Sequence, residues 1–275
     1  MSYTVLKKRR SRLSLLIFVA ILLYAMVGSI LYLLQDQFIF RPTVLPENYV
    51  YNFDREFEEL FLKTDDDAVI NALHFKVEQP RGVMLYFHGN AGNLARWGEV
   101  TEFFVEMGYD VLVMDYRGYG KSTGPLSEKA LYHDGQQCYN YLLQRYDEVD
   151  ITVYGRSLGT GIATRIAATN GVKQLILESP FYNLTDVAKT RFPIFPVKKL
   201  LKYKLPNNLH IDMVRCPVTI YHGTDDYIIP YKSGEKLFFE SRNGKTDLIP
   251  IEGGGHNNLI NFEAYRDHVT RLLEQ

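Results

Sequence analysis

Residues 151–161, which read ITVYGRSLGTG, determine how the rest of the chain can be arranged. The run Ile151–Tyr154 is apolar and rich in β-branched residues, which predicts a buried strand. From Leu158 the chain continues with small and apolar residues, as expected of a helix packed closely on a sheet. The two glycines that flank Ser157 complete a Gly-x-Ser-x-Gly turn, which exposes a strained serine between a strand and a helix. This order of elements predicts an α/β sheet that carries a serine nucleophile.

The chain on both sides of this turn alternates strand-like and helix-like segments from about residue 57. Several strand candidates are continuous apolar runs, which is typical of strands covered on both faces. Strands that alternate with helices imply crossover connections, so we predict an α/β fold with a mostly parallel sheet flanked by helices. The predicted strands are Glu58–Thr64, Val69–Val77, Val83–His88, Asp110–Tyr116, Ile151–Tyr154, Gln174–Glu178, Val218–His222 and Asp247–Ile251, and the predicted helices are Leu94–Met107, Leu126–Tyr146, Leu158–Asn170, Tyr231–Ser241 and Leu259–Leu273.

Two segments do not follow this alternation. Residues 181–211 contain Pro193, Pro196 and Pro206, which interrupt regular structure, and we predict an insertion that lies over the edge of the sheet. Residues 35–56 are rich in aromatic side chains and are predicted to connect the sheet to the N-terminal segment.

The N-terminal segment Leu13–Leu34 is an uncharged apolar run of 22 residues, and about 20 such residues span a bilayer as a helix. A cleaved signal peptide is the alternative, but its apolar core is usually only about 7–15 residues long. We therefore predict an uncleaved transmembrane anchor. The tail of residues 1–12 is basic, so the positive-inside rule places it in the cytoplasm and the large domain on the extracytoplasmic side, which is periplasmic, extracellular or lumenal.

The composition excludes some classes of protein. The whole chain carries 31 basic and 32 acidic residues, so its charge does not indicate a nucleic-acid partner. The two cysteines, Cys138 and Cys216, fit no metal-binding spacing. Buried free thiols are favoured over a disulfide between them.

A second Gly-x-Ser-x-Gly match lies at residues 120–124 and centres on Ser122. The preceding strand is predicted to end near Tyr116, and Pro125 follows the match directly. Ser122 is therefore predicted to lie in a loop, whereas a serine nucleophile of this type needs a strand before it and a helix after it. Ser157 is the predicted nucleophile.

Two glycine-rich stretches also resemble nucleotide-binding turns, but neither fits. A phosphate-binding loop that ended at Gly120 would need a glycine where the chain has Asp115, and a carboxylate there would repel phosphate. Residues 159–164 lack the third small residue of a dinucleotide-binding turn. Nucleotide binding is not predicted.

The predicted base is His256. After a serine on such a turn the chain order is acid and then histidine, and His256 lies in the glycine-rich loop 253–258 between the last strand and the last helix. Loops at the carboxyl edge of a parallel sheet are where α/β sites form. His268 is predicted to lie on a helix surface, and His222 is predicted to be structural.

Two adjacent carboxylates, Asp225 and Asp226, follow the preceding strand 218–222. Either residue is placed to orient the imidazole of a base in the next loop. Spacing alone does not separate them.

The oxyanion of a tetrahedral intermediate needs two backbone N–H donors. In this architecture one is the residue after the nucleophile, here Leu158, and the other comes from the loop after the third strand. That loop is residues 88–91, in which Asn90 is the predicted donor. His88 precedes a glycine turn and is predicted to be structural.

Six stretches in chain order resemble motifs of the α/β-hydrolase superfamily: "YFHGNAGN", "DYRGYGKSTG", "YGRSLGTG", "ESPF", "HGTDDYIIP" and "GGGHNN". They are most similar to its single-pass, membrane-anchored branch. That branch includes bacterial serine hydrolases often labelled serine-aminopeptidase-like, and eukaryotic α/β-hydrolase-domain lipases and protein depalmitoylases. The resemblance covers about residues 36–273.

The resemblance implies an eight-stranded sheet and a short lid at about residues 180–211, within a hydrolase domain over residues 57–275. The acid of the family's His-Gly-Thr-x-Asp pattern matches Asp226, so the resemblance selects Asp226 over Asp225. It also implies that residues 117–124 are a loop of the family and not the nucleophile site.

These residues predict acyl transfer to water without a metal or cofactor. Ser157 would attack a carbonyl carbon, His256 would act as base and then acid, and Asp226 would orient the imidazole. Esters and thioesters, with lipid-like acyl groups favoured, are the predicted substrates because their leaving groups depart more readily than amines. A peptidase that uses the same triad and a non-catalytic membrane scaffold are the alternatives.

The predicted lid has an unusual charge. Residues 187–211 contain six basic residues and no acidic residue, interleaved with apolar side chains. One hypothesis is that this surface binds an anionic bilayer and delivers acyl substrates to Ser157. The alternative is a solvated basic face over a packed apolar one.

Overall fold

An eight-stranded sheet forms the centre of the structure, a computed structural model that describes residues 3–274, with side chains from Arg12 onward. In chain order the strands are β1 (Phe57–Lys63), β2 (Val69–Phe75), β3 (Val83–Phe87), β4 (Asp110–Met114), β5 (Ile151–Arg156), β6 (Gln174–Glu178), β7 (Val218–Gly223) and β8 (Thr246–Ile251). Across the sheet they lie in the order β1-β2-β4-β3-β5-β6-β7-β8. β2 pairs antiparallel with β1 and with β4, and the other pairs are parallel. The predicted mostly parallel, eight-stranded sheet is confirmed.

Helices cover both faces of this sheet and also occupy the predicted lid. In chain order they are α1 (Tyr3–Ile39), α2 (Leu94–Glu106), α3 (Glu128–Leu143), α4 (Gly159–Thr169), α5 (Leu184–Arg191), α6 (Val197–Leu200), α7 (Asn207–Ile211), α8 (Lys232–Glu240) and α9 (Glu263–Leu273). The five helices predicted around the sheet are confirmed, with ends shifted by a few residues. The three short helices α5, α6 and α7 carry no strong periodicity and were not predicted.

Apolar packing on the two faces explains why the strands read as continuous apolar runs. Every residue of β3, β4 and β6 is buried. One buried cluster includes Leu131 of α3 and Ile162 of α4, and a second includes Trp97 of α2 and Tyr265 of α9. Each fully buried side chain of this size contributes about 1.5–3 kcal/mol to folding. The edge strand β1 instead alternates in burial, because one of its faces meets solvent.

The N-terminal helix α1 is longer than the predicted span Leu13–Leu34. It continues to Ile39 and so takes in the first residues of the predicted connector 35–56. Within the part of the chain that the structure describes, one helix, over Arg12–Ile39, is long and apolar enough to cross a membrane by length and composition. The side chains of the predicted basic tail, up to residue 11, lie outside the described residues.

The predicted lid, residues 180–211, divides into two parts. Helices α5 and α6 have no buried residue, and the basic side chains around them are exposed. The last part instead packs in the core, where Tyr203, Leu205 and Ile211 join the cluster around α4. Leu205 packs against Gly161 of α4. The covering part of this segment therefore ends before Tyr203, because the apolar side chains that follow are needed to bury one face of α4.

Both cysteines are free thiols. Cys138 is buried in α3, and its Sγ lies 3.4 Å from the Sδ of Met114. Cys216 is partly buried beside β7, so the two residues behave as core side chains, as the sequence analysis favoured.

Candidate active site

Ser157 lies on the turn between β5 and α4 with a backbone φ of 50°. A non-glycine residue in this region is strained and is held there by its surroundings. The two flanking glycines are required by close packing: a Cβ on Gly155 would lie 2.6 Å from the Cβ of Ala163, and a Cβ on Gly159 would collide with the carbonyl oxygen of Phe87. The Ser157 N–H donates to the carbonyl oxygen of Glu178 at 2.9 Å. The turn is thereby fixed with the serine partly exposed at the carboxyl edge of the sheet.

Three of the predicted residues form one chain of hydrogen bonds. The Nε2 of His256 lies 2.8 Å from the Oγ of Ser157, and its Nδ1 lies 2.7 Å from the Oδ2 of Asp226. An ionised carboxylate only accepts, so Nδ1 carries the proton and Nε2 of the neutral ring accepts from the serine hydroxyl. This arrangement can take a proton from Ser157 when its oxygen attacks a carbonyl carbon.

Asp226, and not its neighbour, faces the imidazole. Its Oδ1 accepts from the backbone N–H groups of Ile228 and Ile229 at 2.9 and 2.8 Å, while Asp225 is exposed. Burial raises the pKa of Asp226, but hydrogen bonds from His222 and His256 outweigh it and hold the pKa below its usual range. The carboxylate therefore stays charged wherever a histidine can act as a base.

The two predicted oxyanion donors, Asn90 and Leu158, belong to different segments next to Ser157. Leu158 follows it on the turn, and Asn90 belongs to the loop after β3; both line the same cavity as Ser157. A Cβ built on Gly89 would lie 3.9 Å from the Cβ of Ser157, so this loop runs directly beside the serine. The carbonyl oxygen of Asn90 accepts from the backbone N–H of Arg41 and from the hydroxyl of Tyr119, each at 2.8 Å.

Ser122 lies away from this cluster. Its hydroxyl donates to the carbonyl oxygen of Asp115 and accepts from the backbone N–H of Asn71, both at 2.8 Å. The side chain is buried and joins a loop to β2. Since its hydroxyl proton is donated to the backbone, Ser122 acts as a structural tie.

The other histidines considered in the sequence analysis lie outside the Ser157–His256–Asp226 chain of hydrogen bonds. His88 is fully buried and stacks on Trp97 with a centroid distance of 5.3 Å, so it faces the core. His268, which was predicted to lie on a helix surface, is half-buried in α9, and its Nδ1 lies 2.8 Å from the hydroxyl of Tyr221. His222 lies closer to the site than expected: its Nε2 donates to the carbonyl oxygen of Ile229 at 2.8 Å and lies 3.4 Å from the Oδ2 of Asp226. It holds the loop that carries the carboxylate.

A cavity of about 590 Å³ opens above Ser157 and His256. Its walls are mainly apolar and come from α1, from the lid helices and from the loop after β7. Such a volume is within the range of about 300–1,000 Å³ that small-molecule sites occupy. Among the described residues that line it, the ionisable side chains other than His256 are four arginines, Arg41, Arg96, Arg156 and Arg191.

Arg156 was missed by the sequence analysis, although it directly precedes Ser157. Its guanidinium is buried, lies 5.4 Å over the ring of Trp97 and pairs with Glu178 at 3.3 Å. Burial lowers the pKa of Arg156, but the charge of Glu178 outweighs it and raises the pKa. Arg156 stands at a variable position of the Gly-x-Ser-x-Gly turn, and Glu178 is distant in sequence. The sequence pattern therefore gave no indication of the ion pair between Arg156 and Glu178.

The chain is similar to known proteins over most of its length. A family model described as serine aminopeptidase, S33, matches residues 78–212. An uncharacterized protein of Mycobacterium tuberculosis is 31% identical over 196 residues, which are 70% of this chain and 69% of that protein. The lysophosphatidylserine lipase ABHD12 of Danio rerio is 32% identical over 199 residues, which are 62% of this chain and 51% of the lipase. The chain therefore spans about half the length of that relative.

Solved structures share the fold. The esterase Pf2001 of Pyrococcus furiosus superposes with a TM-score of 0.68 at 19% identity, covering 85% of this chain and 98% of that one. An α/β hydrolase of Vibrio vulnificus superposes with a TM-score of 0.64 at 23% identity, covering 78% of this chain and 81% of that one. At these identities the likeness concerns the arrangement of the sheet and helices.

Proposed function

Since the chain belongs to the α/β-hydrolase superfamily, we propose that it is a membrane-anchored serine hydrolase that cleaves carboxylic esters or thioesters of lipid-like acyl groups. It is a serine-hydrolase-type enzyme, and relatives named as lipase and esterase support activity on esters. One observation carries the finer proposal: the hydrogen-bonded chain from Ser157 through His256 to Asp226 lies at the end of a mainly apolar cavity.

The proposed reaction has two steps. The Oγ of Ser157 attacks the carbonyl carbon while its proton passes to the Nε2 of His256, and the leaving oxygen or sulfur then departs with that proton. An acyl-enzyme remains, and a water molecule releases the acid by the same route. The N–H groups of Asn90 and Leu158 would stabilise the oxyanion, and the loss of one such donor typically costs about 3–4 kcal/mol of barrier.

The charge of the cavity supports an anionic substrate. Arg156 is neutralised by Glu178, whereas Arg41, Arg96 and Arg191 are exposed at the wall. Guanidinium groups bind phosphate and carboxylate through paired hydrogen bonds. The relative named as a lysophosphatidylserine lipase acts on a lipid whose head group carries both groups. A single-chain ester with an anionic head group therefore fits this cavity, with its acyl chain on the apolar wall.

The choice between ester and peptide substrates is testable with the full-length protein in detergent or lipid. We expect hydrolysis of long-chain acyl esters and thioesters, and no cleavage of peptide amides, because the cavity is apolar and the leaving groups differ in ease of departure. Product acids and amines would be measured by mass spectrometry, with Ser157→Ala as the blank. Cleavage of peptides with esters left intact would establish the peptidase alternative. Absence of activity towards esters, thioesters and peptides would favour the non-catalytic membrane scaffold.

The hydrolase domain is proposed to lie on the extracytoplasmic side of the membrane. The proposal rests on the basic residues that precede the uncharged span of α1. We expect protease added outside spheroplasts, or outside sealed vesicles of known orientation, to digest the domain. A matched variant with Lys7, Lys8, Arg9, Arg10 and Arg12 changed to Gln should lose this fixed orientation. Protection of the domain in the unmodified protein would contradict the proposed topology.

A further inference from the structure

We propose that helix α1 forms part of the substrate site, so that the acyl chain of the ester lies between α1 and the lid helices α5 and α6. The acyl chain would enter this space sideways from the adjacent bilayer leaflet. The inference rests on the proposed function, because it takes Ser157 as the reacting residue.

The first support is the composition of the cavity wall. Leu31, Phe38 and Ile39 of α1 line the same cavity as Ser157, together with Val187 of α5 and Leu200 of α6. These α1 residues belong to the helix that is apolar enough to cross a membrane. A membrane tether that served only to hold the domain near the bilayer would not need to supply a wall of the site.

The second support is that α1 holds the lid through polar contacts. Gln35 is buried, its side-chain nitrogen donates to the carbonyl oxygen of Leu200 at 3.1 Å, and its side-chain oxygen accepts from the backbone N–H of Lys202 at 2.7 Å. A polar side chain at the end of an apolar span is costly unless it is hydrogen-bonded. The lid backbone satisfies both ends of this amide, so helix and lid form one unit.

The third support is the contact between α1 and the loop that carries a predicted oxyanion donor. The side chain of Asn90 donates to the carbonyl oxygen of Ile39, the last residue of α1, at 3.1 Å. The following residues Arg41–Pro42 pair as a short parallel strand with Ala91–Gly92. The end of the helix therefore positions both the wall of the cavity and the loop beside Ser157.

The depth of the lid along α1 indicates how the acyl chain enters. The hydroxyl of Tyr24 donates to the carbonyl oxygen of Ile194 at 2.9 Å, and its ring stacks on Phe195 at 4.8 Å. Tyr24 lies about 15 Å before Leu34 at about 1.5 Å per residue. Ile194 and Phe195 form the lid tip, and Ile194 is 72% exposed. The lid tip therefore lies beside the apolar part of α1, where a bilayer would cover it.

The positions of the basic side chains of the lid are consistent with this placement of the lid tip in the bilayer. The exposed Lys198, Lys199 and Lys202 follow the lid tip in sequence, and the ammonium of Lys202 lies 5.2 Å over the ring of Tyr32, near the end of α1. Basic residues at this level meet anionic head groups while the tip meets acyl chains. A lipid in that leaflet would have its acyl chain beside the gap between α1 and the lid, and the cavity at this gap reaches Ser157.

A bulky residue on the cavity side of α1 should change the preference for acyl-chain length. In full-length protein in lipid nanodiscs, Leu31→Trp is expected to lower the ratio of kcat/KM for a hexadecanoyl ester to that for a butanoyl ester by at least about tenfold. The matched control is Leu33→Trp on the same helix, since Leu33 is 67% exposed and does not line the cavity. An equal ratio in both variants would overturn the inference.

A second measurement on the unmodified protein does not depend on how a variant folds. A long-chain alkyl fluorophosphonate with a terminal diazirine would bond to the Oγ of Ser157, with loss of fluoride and transfer of the hydroxyl proton to His256. Light then expels dinitrogen, and the carbene inserts into a neighbouring C–H bond. We expect cross-links to the α1 peptide that contains residues 31–39. Labelled Ser157 without cross-links to α1 overturns this inference alone, whereas failure to label Ser157 overturns the proposed function and this inference with it.

Discussion

Replacing Ser157 by alanine is expected to lower the rate of ester hydrolysis by about 10⁴- to 10⁶-fold and to abolish labelling by a fluorophosphonate probe. The reason is that its Oγ, 2.8 Å from the Nε2 of His256, is the proposed nucleophile that forms the acyl-enzyme. The measurement is kcat for a soluble ester together with gel detection of the probe. The fold should survive, because the strained turn is held by its backbone N–H bond to Glu178, which alanine keeps.

The matched control is Ser122→Ala, which alters the other Gly-x-Ser-x-Gly match. It removes the partner of the buried N–H of Asn71, so we expect a loss of about 1–3 kcal/mol in the free energy of unfolding. Activity per folded molecule should remain close to that of the unmodified protein. If Ser122→Ala removed probe labelling and Ser157→Ala kept it, the assignment of the nucleophile would be wrong.

Asp226→Asn is expected to lower kcat by about 10⁴-fold. The two backbone N–H groups of Ile228 and Ile229 hold the oxygen of the new amide, which turns its NH₂ group towards His256. The ring then has to present an unprotonated Nδ1, which puts its proton on Nε2 and removes the acceptor for the hydroxyl of Ser157. Kinetics on a soluble ester would measure the loss.

The neighbouring carboxylate supplies the control for this variant. Asp225→Asn changes an exposed side chain, while its backbone N–H still donates to Gly254 at 2.9 Å. Its kcat should stay within about twofold of the unmodified protein, since surface substitutions away from such networks have small effects. Equal losses in the two variants would mean that Asp226 is not the residue that orients His256.

The strand–turn–helix around Ser157 was predictable because its determinants are local. Gly155 and Gly159 stand at the two positions where a side chain would collide with α4 or with the end of β3. The loop that carries His256 was predictable for a similar reason, since it lies between a strand and the last helix. Several of the eight strands followed from apolar runs that two helical layers bury.

The choice of acid needed more than spacing. Asp225 and Asp226 differ by one position, and a turn of the chain decides which of them points into the site. In the structure the N–H groups of Ile228 and Ile229 bind one carboxylate oxygen and leave the other for His256. The resemblance to a family had selected Asp226, whose Oδ2 lies 2.7 Å from the Nδ1 of His256.

The sequence by itself determined the class of fold, the strained serine turn and the presence of an apolar N-terminal helix, because each of these depends on neighbouring residues and their periodicity. Only the tertiary structure decided that α1 continues to Ile39 and lines the cavity beside Ser157. It also decided that Tyr203, Leu205 and Ile211, at the end of the predicted lid, pack in the core. Both outcomes depend on contacts between residues that are more than a hundred positions apart in the chain, such as the hydrogen bond from the side chain of Gln35 to the carbonyl oxygen of Leu200. Contacts of that kind leave no periodic pattern in either segment, because the hydrogen-bonding groups of one segment are satisfied by the other.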